Sequence, residues 1–185
     1  MPKDFFIFVG HQNEDYLEKV KTILDKYYTV NVSAKGCDIV NAVLDLQPDL
    51  AILDYDISEI DVLKLCEKID GGYAHINTII YVVLDKLDIA KKKWKKRAID
   101  YIVGPLEVQE FAEDVHKGVR NILLERERQK LIRNKIELRY HINNSIIKQK
   151  QLIEQALRNE DWKSIEDVHQ EIINLEKTIK DIDLI

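Results

Sequence analysis

The chain has 185 residues, of which 45% are apolar and 33% charged, and its formal net charge is −5. This length allows one full domain and a smaller element but excludes two large enzyme domains. The composition is that of a globular protein with much solvated helix surface. No apolar run approaches the roughly 20 residues that a membrane helix needs. We therefore expect a cytoplasmic protein that has no membrane partner.

Charge and cysteine usage narrow the functional classes further. Residues 123–185 hold 12 Lys/Arg and 12 Asp/Glu, so this part of the chain is neutral. Affinity for nucleic acid comes mainly from an excess of cations on phosphates, so we expect no nucleic-acid partner. Asp4 directly precedes the first apolar run, which is not the pattern of a signal peptide. Cys37 and Cys66 each lie singly in an apolar-periodic segment, and we expect both to be buried free thiols.

Over residues 1–122 short apolar runs alternate with amphipathic stretches, the pattern of a parallel sheet covered by helices. Strands are predicted at Phe5–Val9, Thr29–Ser33, Leu50–Leu53, Thr78–Leu84 and Tyr101–Val103. Helices are predicted after the N-cap Asn13, over Gly36–Leu46, from Ile60 to a stop at Gly71-Gly72, over 86–97, and from near Glu107. The sequence therefore predicts a doubly wound α/β domain.

The remainder of the chain predicts two long helices. After Gly104-Pro105 there is no further proline, and Gly118 is the single glycine. An apolar stripe with three-, four- and seven-residue spacings runs through Leu124, Leu131, Leu138, Ile142, Ile146, Ile153 and Leu157. A turn near 158–161 precedes a second stripe through Trp162, Ile165, Val168, Ile172, Leu175, Ile179 and Ile182. Because a two-helix hairpin exposes an apolar flank, residues 123–185 predict a coiled-coil hairpin that pairs with a second copy to make a homodimer.

Two blocks of the first 122 residues resemble a known family. The run from Pro48 to Asp54 reads PDLAILD and resembles the third strand of bacterial response-regulator receiver domains, which ends in the phosphoacceptor aspartate. The run from Ala98 to Pro105 reads AIDYIVGP and resembles the fifth-strand signature of the same family. The resemblance implies a five-stranded parallel sheet of order 2-1-3-4-5, a role in two-component signal transduction, and a phosphoacceptor position at Asp54.

Most of the family's chemistry is missing from this sequence. Receivers place two acidic residues after the first strand to hold Mg²⁺, and here those positions are Gly10 and His11. The hydroxyl residue that ends the fourth strand aligns with Val83, and the lysine that ends the fifth strand aligns with Gly104. Mg²⁺ and that lysine normally neutralise the phosphoryl charge. We therefore predict no metal or other cofactor, with Mg²⁺ only if Asp54 can be phosphorylated.

A lysine-rich run at 91–97 suggests a face for a partner protein. Lys92, Trp94 and Lys96 lie in this run, and Tyr101 occupies the position of the receiver family's switch aromatic. One interpretation is a docking surface for an acidic signalling protein, such as a histidine kinase, with the aromatic side chains as apolar anchors. The other is a solvated helix face without a partner.

A second resemblance lies in the predicted hairpin. The run from Leu138 to Ile146 reads LRYHINNSI and is similar to the phosphoacceptor box of histidine kinases, whose dimerisation domain is also a helical hairpin. Aligned on Ile142-Asn143-Asn144, however, the histidine of that box falls on Tyr140. His141 is therefore predicted to be a half-buried residue at the edge of the apolar stripe, and the alternative is a phosphoryl acceptor.

These patterns favour a non-catalytic pseudo-receiver that dimerises and works by protein–protein contact. No Ser/His/Asp constellation, metal-ligand spacing or phosphate-binding glycine loop occurs, so we expect the protein not to be an enzyme. The alternative is a phosphorelay protein, or a fragment of a longer histidine kinase, that uses Asp54, His141 or both.

Overall fold

The computed structural model describes residues 4–72, 76–83, 86, 88, 100–159 and 162–183. Its strands are β1 (Phe6–Gly10), β2 (Thr29–Ser33), β3 (Leu50–Asp54), β4 (Asn77–Val83) and β5 (Asp100–Gly104). Its helices are α1 (Glu14–Leu24), α2 (Gly36–Leu46), α3 (Val62–Gly72), α4 (Val108–Arg158) and α5 (Trp162–Asp183). The predicted helix over 86–97 lies outside the described residues except for Lys86 and Asp88.

The five strands form one parallel sheet in the order β2-β1-β3-β4-β5. The predicted fold class and strand order are therefore confirmed. Strand β3 reads LAILD and is buried along its whole length, because helices cover both faces of the sheet at its centre. Strand β4 begins one residue before its predicted start. Strand β5 extends one residue beyond its predicted range at each end.

Two apolar clusters lie on opposite faces of this sheet. On one face, Leu17 and Val20 of α1 and Phe111 and Val115 of α4 pack on the strands. On the other face, α2 and α3 contribute a second set of buried residues: Ile39, Val43, Val62, Leu65, Cys66 and Ile69. Because all five strands run parallel, their carboxyl ends lie at one edge of the sheet, where Asp54 ends β3.

Local signals set several helix ends. The side chain of Asn13 accepts a hydrogen bond from the backbone N–H of Tyr16 at 3.0 Å and so caps α1. At the end of α2, Gln47 adopts a left-handed backbone conformation with φ of 48° directly before Pro48. Helix α3 begins at Val62, two residues after the predicted start, because Asp61 accepts from the N–H of Lys64 at 3.1 Å and acts as its cap.

The two cysteines have different environments. Cys66 is buried, and burial raises the pKa of its thiol. Cys37 is exposed, so the prediction of a buried thiol was wrong for this residue. The buried positions of α2 are Gly36, Ile39 and Val43, and one residue along a helix turns the side chain by about 100°. Cys37 therefore faces away from the sheet.

The chain divides into two compact units, Met1–Leu123 and Leu124–Ile185. In the second unit, residues of α4 pack against α5 around four buried isoleucines: Ile142, Ile146, Ile172 and Ile182. Ile153, Val168, Leu175 and Ile179 pack against this cluster and are partly buried. The remaining members of the predicted α4 stripe, Leu124, Leu131, Leu138 and Leu157, are exposed. None of the described helices combines the length and the apolar character needed to cross a membrane.

Candidate functional site

Asp54 lies at the carboxyl end of the central strand β3. Tyr81 of β4 is its partner in the sheet register, and Gly10 of β1 pairs with the preceding residue, Leu53. Its side chain is buried, and its Oδ1 accepts a hydrogen bond from the backbone N–H of Asp56 at 3.0 Å. Burial raises the pKa of the Asp54 carboxyl above its ordinary value, although the backbone amides of Asp56 and Gln12 and the neighbouring His11 oppose this shift. A buried carboxyl group that accepts a backbone hydrogen bond therefore lies at this edge of the sheet.

His11 faces Asp54 from the end of β1. Its Nδ1 accepts the backbone N–H of Asn13 at 3.0 Å, so the proton of the neutral ring lies on Nε2. Nε2 is 3.6 Å from Oδ2 of Asp54, longer than a hydrogen bond but close enough for electrostatic coupling. Burial lowers the pKa of His11 and the Asp54 carboxylate raises it, with a net shift downwards. An imidazole thus stands where receivers carry a second carboxylate.

Gly10 is the position that the resemblance assigns to the first missing acid, and it is tightly packed. A Cβ added at Gly10 would meet Cδ1 of Ile39 at 3.0 Å and two further atoms of the same side chain at 3.3 Å. Ile39 is fully buried in α2. A side chain at position 10 would therefore require Ile39 to shift by a few tenths of an ångström.

Gly104 occupies the position of the missing lysine, and an aromatic side chain fills the space. A Cβ added at Gly104 would collide with the phenol ring and hydroxyl of Tyr81. The same hydroxyl oxygen accepts the backbone N–H of Leu106 at 3.4 Å. The ring of Tyr81 also meets the ring of His11 edge to face, with 5.4 Å between their centroids. Because Tyr81 occupies this volume, a side chain at position 104 would require the phenol of Tyr81 to move.

The fourth degenerate position, Val83, ends β4 and pairs with Gly104 in the sheet register. Valine carries no hydroxyl, so this position offers no hydrogen bond to a phosphoryl oxygen. Only the backbone of Val83 is described here. The four predicted degenerate positions, Gly10, His11, Val83 and Gly104, therefore lie at the same edge of the sheet as Asp54.

Lys86 is a charged residue of this site that the sequence analysis missed. Its Nζ lies 2.6 Å from Oδ1 of Asp56. The sequence analysis placed Lys86 at the start of the predicted lysine-rich helix. Its position in the sequence could have indicated this placement. Lys86 follows the end of β4 by three residues, and the carboxyl ends of β3 and β4 lie at the same edge of the sheet, close to Asp54 and Asp56.

The residues present do not fit Mg²⁺. Asp54 is the remaining acid of the receiver set, His11 presents a ring N–H to it, and Asp56 is bound to the Lys86 ammonium. Hard cations require several oxygen ligands around one point. Over the described ranges, no three His, Cys, Asp or Glu side chains are placed to hold a metal ion together.

The predicted partner face is only partly described. Lys92, Trp94 and Lys96 lie outside the described residues, so their placement stays a prediction. Tyr101 in β5 is half-buried and packs against the α2–α3 side of the core. Burial raises the pKa of its hydroxyl.

His141 lies on α4, in the second unit, and its prediction as a half-buried residue was wrong. Its side chain is 66% exposed, and Nε2 is 3.9 Å from Oε1 of Glu137, one helical turn earlier. The buried residues nearby are Ile142 and Ile146. His141 precedes Ile142 by one residue, so its side chain is turned by about 100° out of the hairpin core.

Solved receiver domains have the same fold as the first unit. The response regulator receiver domain protein from Clostridium thermocellum is 18% identical, covering 65% of this chain and 98% of that chain, with a TM-score of 0.57. The corresponding protein from Methanospirillum hungatei is 18% identical over 65% of this chain and 98% of its own, with a TM-score of 0.55. A member of a family of redox sensors in the streptococci, evolved from two-component response regulators, is 15% identical over 68% of this chain and 55% of its own, with a TM-score of 0.62.

None of the known protein-family models matches the sequence. At these identities the structural likeness establishes the fold. The amino-terminal part of the chain therefore has the receiver fold, with Asp54 at the carboxyl end of its central strand.

Proposed function

We propose that this protein is a two-component-type signalling adaptor of the cytoplasm. It acts as a pseudo-receiver without phosphorylation chemistry, forms a homodimer, and works by protein–protein contact. The observation that carries the proposal is that packed neighbours restrict two of the altered positions. Tyr81 occupies the space beside Gly104, and Ile39 packs tightly beside Gly10. Restoring a single side chain therefore cannot restore the receiver's catalytic set.

Electrostatics support the same proposal. Phosphorylation would convert the singly charged Asp54 carboxylate into an acyl phosphate with up to about two negative charges, beside the Asp56 carboxylate. Lys86 contacts Asp56 and offsets one of these two acids. His11 has a lowered pKa, so at neutral pH it supplies a neutral ring rather than a cation. The charge of a phosphoryl group on this buried carboxylate would remain largely uncompensated.

The test is phosphorylation with a small-molecule donor. The full chain is incubated with acetyl phosphate and Mg²⁺ and its intact mass is measured, with an Asp54→Asn variant as the matched control. We expect no phosphoryl adduct on either protein, because the site supplies neither the metal ligands nor the lysine. An adduct that forms on the parent chain and disappears in Asp54→Asn would overturn the pseudo-receiver proposal.

A phosphotransfer role is the second candidate, and two observations favour it. His141 is well exposed on α4 and thus accessible to a phosphoryl donor, and Lys86 brings an ammonium group to the sheet edge that holds Asp54. The same mass measurement separates the candidates. An adduct that maps to His141, or to Asp54, would replace the adaptor proposal with the relay.

A further inference from the structure

Large apolar side chains are exposed mainly along α4. Nine of them are more than a third exposed: Leu124, Leu131, Ile132, Ile136, Leu138, Tyr140, Ile147, Leu152 and Leu157. A concentration of this size on one helix marks an interaction surface, whereas singly scattered apolar residues carry no such meaning.

Three of these residues form a ladder on one side of the helix. Leu124, Leu131 and Leu138 are seven residues apart along the chain. Each is therefore rotated around the helix axis by only about 20° relative to the one before it. Ile142 follows four residues later and begins the core that α4 shares with α5. The ladder therefore continues the face of α4 that α5 covers further along.

The described length of α5 does not reach this part of α4. At about 1.5 Å per residue, Trp162–Asp183 spans about 33 Å, whereas residues 124–158 span about 52 Å. Leu131 accordingly remains 64% exposed, while Ile142 and Ile146 are buried.

We propose that the leucine ladder, Leu124, Leu131 and Leu138, pairs with the same ladder of a second copy as a parallel, in-register coiled coil. This inference rests on the homodimer proposed above and names its contact surface. With the leucines at the d positions of a heptad, the a positions are Arg128, Lys135 and Ile142.

One complementary charge pair supports the parallel register. In a parallel pair, each a residue lies beside the g residue that precedes it on the opposite helix. Arg128 then meets the carboxylate of Glu127 of the second copy, whereas Lys135 meets only the neutral amide of Asn134 of the second copy. Ile132 lies at the flanking e position and widens the apolar seam.

Lys135 sets the strength of this pairing. In the parallel register its ammonium lies in a core layer opposite its own counterpart, and two like charges at that distance repel each other. The coiled coil is therefore weakened at Lys135, and added salt strengthens it by screening the repulsion.

The inference is tested by disulfide trapping in the full chain. Cys37 is exposed and is first replaced by serine, after which Leu131→Cys is introduced and the protein is oxidised mildly. A d residue of a parallel, in-register pair meets its own counterpart, so we expect most of the protein to become a covalent dimer. The matched control is Ile136→Cys, which is 63% exposed against 64% for Leu131 but lies at the outer b position. It is expected to stay unlinked.

The results distinguish the proposed contact through the leucine ladder from dimerisation in general. A reduced parent chain that is dimeric by light scattering, while Leu131→Cys does not link, overturns the ladder and leaves the dimer standing. A monomeric parent chain removes both. If Leu124→Cys and Leu138→Cys link to each other in a mixture but not to themselves, the helices are antiparallel and the proposed register is wrong.

A second pair of variants tests the role of Lys135 independently of cysteine chemistry. Lys135→Leu removes the repulsive layer and is expected to tighten dimerisation roughly tenfold. Lys130→Leu makes the same chemical change at the outer c position and should leave the dissociation constant within about twofold. Equal effects of the two variants would show that general hydrophobicity, not the proposed seam, drives association.

Discussion

The two units of this chain bury their apolar residues to different degrees. In the receiver-fold unit many core residues, among them Ile7, Val20 and Ile52, are 0% exposed. In the hairpin the most buried residues, Ile142, Ile146, Ile172 and Ile182, remain 6–8% exposed. A sheet with helices on both faces encloses a core, whereas two helices enclose only the line along which they touch.

This difference separates a part whose apolar core is closed within one chain from a part that leaves large apolar side chains exposed. The sheet unit has exposed apolar side chains too, such as Tyr27 and Leu46, but they are isolated. On α4 they follow one another along the helix. We infer that the receiver-fold unit supplies the stable scaffold and that the hairpin supplies the self-association on which the proposed adaptor role depends.

The largest expected effect concerns the closed core. Ile52→Ala removes a fully buried side chain from the centre of the sheet and should lower the free energy of unfolding by about 2–5 kcal/mol. Ile147→Ala, at an exposed position of α4, should change it by no more than about 0.5 kcal/mol. Chemical denaturation followed by circular dichroism measures both. Similar losses for the two variants would contradict the contrast between a closed and an open core.

The next effect tests the packing that closes the degenerate site. Gly104→Ala drives a Cβ into the phenol of Tyr81 and should cost about 1–3 kcal/mol of stability. Gly71→Ala is the matched control, since nothing lies within 4 Å of its added Cβ, and it should be neutral or stabilising by up to about 1 kcal/mol.

The collision at Gly104 also predicts a rescue. In a double-mutant cycle with Tyr81→Leu, the cost of Gly104→Ala should shrink, because the shorter side chain vacates the contested volume. If the stability changes of the two substitutions are simply additive, Tyr81 does not block a side chain at position 104. The packing of Tyr81 would then not explain the absence of the lysine.

The sheet was predictable from the sequence because its strands are buried on both faces. Strands such as β1 and β3 read as continuous apolar runs, and the helices between them show a clear 3.6-residue period. Differences were confined to one or two residues at element ends, where capping by a side chain such as that of Asp61 decides the boundary.

For the site, the sequence predicted only which functional side chains are missing. Substitutions at Gly10 and Gly104 can be read from an alignment with receivers, but the residues that fill those positions come from α2 and β4 and are brought there by tertiary packing. Lys86 was missed because its contact with Asp56 joins residues 30 positions apart, and the sequence alone does not show such a contact. His141 and Cys37 were misplaced because a shift of one residue in helical phase moves a side chain from a buried face to solvent.

A smaller effect is expected from the buried Asp54–His11 pair. The folded pKa of Asp54 is raised above its ordinary value of 3.8, so the folded state holds this proton more tightly than the unfolded chain. Asp54 therefore contributes favourably to the free energy of unfolding below pH 3.8, where it is protonated. This contribution is lost as the pH rises through the pKa of Asp54 in the folded state. Asp54→Asn removes the buried charge and keeps a side-chain oxygen for the N–H of Asp56.

Asp54→Asn should consequently be at least as stable as the parent chain at pH 7, and its advantage should fade as the pH approaches 3.8. Thermal unfolding across this pH range measures the difference. His11 acts in the opposite direction, because its lowered pKa costs stability as the pH falls below 6.5. His11→Gln isolates that contribution. A loss of stability in Asp54→Asn at pH 7 would show that the ionised carboxylate is favourable in this site.

The smallest effect on either unit is expected at the proposed partner face. Lys92 and Lys96 are four residues apart in the lysine-rich run, so on a helix they would share one side. Reversing both to glutamate should change stability by less than about 0.5 kcal/mol and leave dimerisation unchanged, because solvated charges contribute little to folding. Capture of an acidic signalling partner in a pull-down should nevertheless weaken, and the salt dependence of capture should decrease. Lys64→Glu with Lys68→Glu on α3 makes the same charge change at the same spacing and is the control. If both double variants reduce capture equally, the effect comes from the net charge of the receiver-fold unit, and the lysine-rich run has no specific role in docking.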